Sequence, residues 1–324
     1  MAISRVLFTR GGYTESVHDL LWCVTGSDGE VLAASDEDAA TVGVFPRSAV
    51  KPLQALPSVR AGTLERFDLS DRHLALACAS HGGTDQHVAV VAEMLDAAGL
   101  GEDDLACGPL DPRDPRAATM RRARGELPAR LVHNCSGKHA LALARCRHEG
   151  WPISNYVDPG HAGQRAMHAS VATAAGMAPS MVPYGADGCG MLAFQLPLAG
   201  LARAFGRLAS GGLGYGGDRV VEAMRAHPSL VAFEGALDTE LMRAVDGLVA
   251  KLGAEGVLGV GLPDGRGLAV KVSDGAMRAL DPAGVELVRE ELGLRLSGEA
   301  IEGLARPVLF NSRGEQVGAG RATQ

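Results

Sequence analysis

Strand-forming residues gather at both ends of the chain, and the apolar period changes to a helical one between them. Val6–Phe8 and Val17–Val24 favour extended backbone, Ser27-Asp28-Gly29 supplies a turn, and Glu30–Ala34 resumes an extended stretch. Two strand-like runs separated by a Gly-containing turn predict an N-terminal antiparallel hairpin. Near the other end, Val257–Leu262 and Leu268–Val272 flank the turn Pro263-Asp264-Gly265-Arg266-Gly267. A third hairpin signal joins Val308–Phe310 to Gln316–Val317 through Asn311-Ser312-Arg313-Gly314.

In the middle, Val88, Val91 and Leu95 form one helical stripe with Met94 beside it, and Gly99 offers a stop. Ala162–Ala175 and Leu237–Leu252 also predict helices, the second with Leu241, Val245, Leu248 and Val249 on its buried face. The most apolar stretch, Met191–Ala202, is broken by Gln195 and Pro197 and predicts a kinked core helix. It is too short to cross a bilayer.

These elements predict an antiparallel sheet built from both termini with a helical middle region, an α/β fold of the α+β kind. With no internal repeat and no long linker, residues 1–324 are expected to act as a single catalytic unit. No G-x-G-x-x-G follows an early strand, and no G-x-x-x-x-G-K-Ser/Thr loop is present, so nucleotide-binding folds are not indicated.

Composition narrows the function. An apolar fraction of 46% against 21% charged residues excludes a mainly disordered chain. Net charge is -7, and the densest basic group, Arg121, Arg122 and Arg124 with Arg130 nearby, reads as a solvated helix end. Nucleic-acid binding is therefore not expected. The opening MAISRVLFTRGG lacks the apolar core of a secretory signal, so a cytoplasmic protein without membrane association is expected. Cys23 and Cys78 sit among apolar neighbours and read as inert core thiols, whereas Cys135 and Cys189 lie in polar, glycine-rich segments.

Two serine segments could carry acyl chemistry. Ser48 and Lys51 are three residues apart in Phe45-Pro46-Arg47-Ser48-Ala49-Val50-Lys51-Pro52, so one helical turn would face them the same way. A neutral lysine could accept the serine proton, which at a free pKa of about 10.4 requires desolvation or nearby positive charge. Arg47 could provide that charge or hold a substrate carboxylate. Pro52 limits the motif to a short or kinked helix. The plainer account is a helix start whose serine caps and whose lysine faces solvent. Ser80 lies in Leu76-Ala77-Cys78-Ala79-Ser80-His81-Gly82-Gly83-Thr84, read as an apolar extended segment entering a Gly-rich turn. Backbone N–H groups there could stabilise developing oxygen charge, and His81 could orient the loop. Lys271 interrupts the apolar run Gly267–Val272 and is the best distant basic partner, unless it simply faces outward from a half-buried strand.

His133-Asn134-Cys135-Ser136-Gly137-Lys138-His139 and Asp187-Gly188-Cys189-Gly190 could meet. Cys135 and Cys189 could then bind zinc, joined by Lys138 if its amine is deprotonated. The alternatives are reduced packed cysteines or a redox pair. Arg10 and Glu15, flanking Gly11-Gly12, could hold the charged ends of an amino acid or pair with one another.

The segments GGYTESVH, FPRSAVKPLQALP, CASHGGTDQH, HNCSGKHA, YGADGCG and GLAVKVSDG together resemble the Rhizobium-type L-asparaginase family over nearly the whole chain. That resemblance implies a fold like that of serine β-lactamases and glutaminases. It implies two serine–lysine pairs, Ser48 with Lys51 and Ser80 with Lys271, and zinc held by Cys135, Lys138 and Cys189. The implied reaction is L-asparagine hydrolysis to L-aspartate and ammonia. Ser48 is the favoured nucleophile, and Arg47, His139 and Asp187 are candidates for contacts to substrate or around it. A helical interaction surface would support a homodimer. Other readings are a glutaminase, a β-lactamase-like enzyme or a noncatalytic amino-acid-binding protein. No K-T-G near Lys271 and no S-D-N tract favours the β-lactamase alternative.

Overall fold

A computed structural model describes residues 3–324. They fall into two compact units, one made of residues 3–49, Gln195–Gly212 and Gly235–Gln324, the other of Val50–Phe194 and Leu213–Glu234.

The first unit is the sheet expected from the two termini. Its strands run in the order Val308–Phe310, Gln316–Thr323, Arg5–Arg10, Tyr13–Thr25, Gly267–Val272, Val257–Gly261 and Val249–Gly253, and Val31–Ala34 also pairs with Tyr13–Thr25. Every pairing is antiparallel. Gly11 and Gly12 turn the first hairpin with φ of 56° and 88°, values that a two-residue hairpin turn asks of both positions. The helix Leu198–Ala209 lies so close to one face that a Cβ at Gly259, Gly261 or Gly267 would collide with Phe205 or the Ala202 carbonyl. Met277–Glu290 packs through Gly284 against Leu258 and Leu237.

Two helix expectations are corrected here. The run Leu237–Leu252 is helical only over Leu237–Ala244, then turns at Gly247 (φ 81°) into the strand Val249–Gly253. Leu, Ala and Val runs satisfy either period when both neighbours are apolar, and the left-handed glycine decides between them. A buried ion pair clamps the turn, Lys251 Nζ lying 2.5 Å from Asp238 Oδ2. Met191–Ala202 is likewise not one kinked helix. It holds the strands Leu192–Phe194 and Leu196–Pro197, and the helix Leu198–Ala209 begins only after Pro197, which cannot donate a backbone hydrogen bond.

The second unit is helical. Lys51–Arg60 packs on Ala162–Ala174, Tyr215–Ala226 and Ser136–Glu149, with Pro52 in its first turn, where a missing N–H costs nothing. Asp85–Ala97 buries Val90, Val91, Met94 and Leu95 and leaves Val88 half-buried, one step round from the expected stripe. The apolar run before Ser80 is the helix Asp71–Ala77, not an extended segment; its cap is a reciprocal Ser70–His73 pair, and Leu74 and Leu76 are fully buried. That helix meets Ser136–Glu149 at Gly137, where a Cβ would strike the Leu76 carbonyl. This close approach sets the loop after Ala77 beside the start of the second helix. No described helix is long and apolar enough to cross a membrane.

Candidate active site

Lys51 begins its helix and points into the helical unit, where it is 1% exposed. Its amine donates to the Ala79 and Asn134 carbonyls and lies 3.1 Å from Ser80 Oγ, itself 2% exposed. The structure thus brings Lys51 to Ser80, where the sequence motifs paired Lys51 with Ser48 and Ser80 with Lys271.

The loop that carries Ser80 is anchored at almost every residue. Ser80 N–H and Gly82 N–H donate to the Val231 and Ala232 carbonyls at 2.9 Å each. Gly83 N–H donates to His81 Nδ1 and Thr84 N–H to His87 Nδ1, each at 3.2 Å. The Ser80 carbonyl accepts from Arg113 at 3.0 Å. The Gly-rich turn therefore does not offer a free row of oxyanion donors: four of its amides, those of Ser80, Gly82, Gly83 and Thr84, are engaged.

Cys135, at the start of Ser136–Glu149, and Cys189, in the tight loop between the strands Tyr184–Ala186 and Leu192–Phe194, do meet. Lys138 Nζ donates to Cys189 Sγ at 3.3 Å. The hydrogen bond from the Cys135 thiol holds Cys189 far below the usual thiol range, aided by Lys138 and His139 against burial. The same bond, with burial, pushes Cys135 well up. Burial opposes charge on Lys138, but the Cys189 thiolate, with Cys135 and Asp187, outweighs it and raises the amine. His139 Nδ1 pairs with the Tyr156 hydroxyl at 2.6 Å, and that hydroxyl accepts from Ala106 N–H at 2.8 Å. His133 is pushed down to about 4, chiefly by burial, and its Nδ1 accepts from Cys135 N–H.

The remaining candidates belong to the sheet unit. Arg47 and Ser48 lie on the short 3-10 turn Arg47–Val50 where the chain leaves that unit, and Arg47 holds a φ of 52°. A left-handed arginine costs on the order of 1 kcal/mol and marks a position the fold over-determines. Lys271, half-buried, sits on the face of its strand that Gly267 gives to the Leu198–Ala209 helix, and burial lowers its amine. Its ammonium donates to the Val272 and Ser273 carbonyls. Arg10 and Glu15 pair with each other across the first hairpin at 2.6 Å, the plainer of their two readings.

A family model described as L-asparaginase II matches residues 6–322. The chain belongs to the L-asparaginase II family. The match spans nearly all of it, as the ordered motifs implied, and makes it an amidohydrolase of the asparaginase type. No curated protein matches it. Among solved structures, a β-lactamase from Mycobacterium bovis is 16% identical over 85% of this chain and 95% of that one, with a TM-score of 0.39.

One expectation attached to this family resemblance is corrected. Zinc on Cys135, Lys138 and Cys189 is not supported: Lys138 Nζ donates to Cys189 Sγ at 3.3 Å. Among the described residues, no group of three or more His, Cys, Asp and Glu side chains is placed to hold a metal ion. Reading the segments in isolation missed Tyr156, which lies outside both motifs, and the roles of the Ala79 and Asn134 carbonyls, since backbone acceptors leave no mark in residue identity.

Proposed function

We propose that this enzyme hydrolyses the side-chain amide of L-asparagine to L-aspartate and ammonia through an ester on Ser80, with Lys51 moving the proton. Family membership supports the amide chemistry. The observation that carries the residue assignment is the environment of the Lys51 amine. A neutral amine has two N–H donors and one lone pair. The Lys51 amine lies within hydrogen-bond distance of the Ser80 hydroxyl, 3.1 Å away, and of the Ala79 and Asn134 carbonyls, so in its neutral form it can take the Ser80 proton.

The steps then balance. Ser80 Oγ attacks the amide carbon while its proton passes to Lys51. Lys51 returns that proton to the departing nitrogen as the C–N bond breaks, and ammonia leaves. Water next attacks the aspartyl ester, giving a proton to Lys51, and Ser80 recovers its hydroxyl as L-aspartate departs. Asp187, half-exposed in the loop that carries Cys189, suits the substrate's α-ammonium. In this reading Ser80 takes the nucleophile's place that the resemblance implied for Ser48, and Lys51 serves Ser80. Six free, buried cysteines suit a reducing compartment and support a cytoplasmic location.

Ammonia and L-aspartate release by purified protein tests this reading. Ser80→Ala and Lys51→Met should each lower asparagine turnover by about 10²–10⁴-fold or more while retaining the wild-type circular dichroism spectrum. Wild-type turnover in folded Ser80→Ala would overturn the assignment. Glutamine in the same assay measures the discrimination between the two amides.

A further inference from the structure

We propose that His81 is a positioning residue that holds Ser80 at Lys51 by tying together the two chain segments whose atoms surround that amine. This rests on Ser80 and Lys51 being the reacting pair. Polar atoms near the Lys51 amine come from Ala79–Ser80 and from Asn134. Nothing in the sequence joins these segments; they are 54 residues apart from Ser80 to Asn134. A drift of either one would move the amine away from the hydroxyl.

The fully buried His81 ring bridges them. Gly83 N–H donates to Nδ1, so that nitrogen carries no proton and Nε2 does. Nε2–H then donates to Ser136 Oγ at 2.9 Å, and the Ser136 hydroxyl donates to the Leu131 carbonyl at 2.9 Å. The chain of bonds thus runs from the Ser80 loop through Ser136 to Leu131, spanning the segment that contains Asn134. The His87 ring stacks on His81 at 5.1 Å and is itself fixed by Thr84 and the Ser229 carbonyl, so the imidazole has no room to turn over. A protonated ring would oppose one N–H to another at Gly83, and burial of the ring keeps it neutral. On the other side of the loop, Ser80 and Gly82 are already bonded to Val231 and Ala232. His81 is the tie on the side toward Asn134.

Steady-state kinetics on His81→Phe, Ser136→Ala and His81→Asn test the proposal, with Ser80→Ala in parallel. Phenylalanine keeps the ring stack but loses both hydrogen bonds, whereas asparagine keeps an acceptor for Gly83 N–H. The expected result is a fall in kcat of roughly 10- to 100-fold in His81→Phe and Ser136→Ala, with KM within about twofold, and partial recovery in His81→Asn. If His81→Phe does not fold, Ser136→Ala, which removes a single hydroxyl, decides the matter. Lowered melting temperature with wild-type kcat would make His81 merely structural and overturn the proposal. Full activity in Ser80→Ala would instead show that the reading of the reacting pair had failed, and the positioning role with it.

Discussion

Three lysines are buried almost completely, and each is accommodated differently. Lys251 is neutralised by Asp238, Lys138 by the Cys189 thiolate, and Lys51 lies among carbonyl and hydroxyl oxygens. The Lys251 pair has a third neighbour in Asp281, whose carboxyl burial pushes up to about 7, with the Asp238 charge adding to the effect. An acid raised on folding binds a proton that the unfolded chain has already released at intermediate pH. Stability from this group is therefore greatest below about pH 4 and is lost as pH rises toward 7. Asp281→Asn should leave the melting temperature unchanged near pH 4 relative to wild type and raise it at pH 8. Equal melting temperatures for the two proteins across that range would refute the coupling. Residue identity alone announced Asp281 no more than it announced Tyr156, because burial of an isolated acid depends on how helices stack above it.

At the scale of elements, the site depends on one helix starting very near the end of another. Gly137 permits that approach, and the loop Ala79–Thr84 and the turn before Ser136 are thereby set side by side. Gly137→Ala should push the helix start away from the Leu76 carbonyl, lower the melting temperature and cut kcat by about tenfold or more. Activity assays with thermal unfolding check this, and a fully active, equally stable Gly137→Ala would show that the approach is not needed. The hairpins at both ends were legible because a glycine turn between β-rich runs has few other conformations. The helix Ala162–Ala174 was legible from its period. Leu237–Leu252 and the run before Ser80 were not, since stretches apolar on all sides fit helix and strand equally, and only their neighbours decide. Within the site, the motif residues Lys51, Ser80, Cys135, Lys138 and Cys189 were each visible as chemistry-bearing groups. Which serine meets which lysine was not, because spacing along a chain does not encode an approach between distant loops.

For the whole molecule, a sheet from both termini and a helical middle account for the architecture, and family membership accounts for the amide chemistry. In place of the expected zinc, Lys138 Nζ donates to Cys189 Sγ, and among the described residues no group of three or more His, Cys, Asp and Glu side chains is placed to hold a metal ion. What remains is the identity of the atom that carries the acyl group. Acid quenching of the enzyme during L-asparagine turnover, followed by peptide mass spectrometry, reads that atom directly. The account predicts an aspartyl ester on the peptide containing Ser80, lost in Ser80→Ala. An aspartyl ester on Ser48, with Ser80 unmodified, would contradict it.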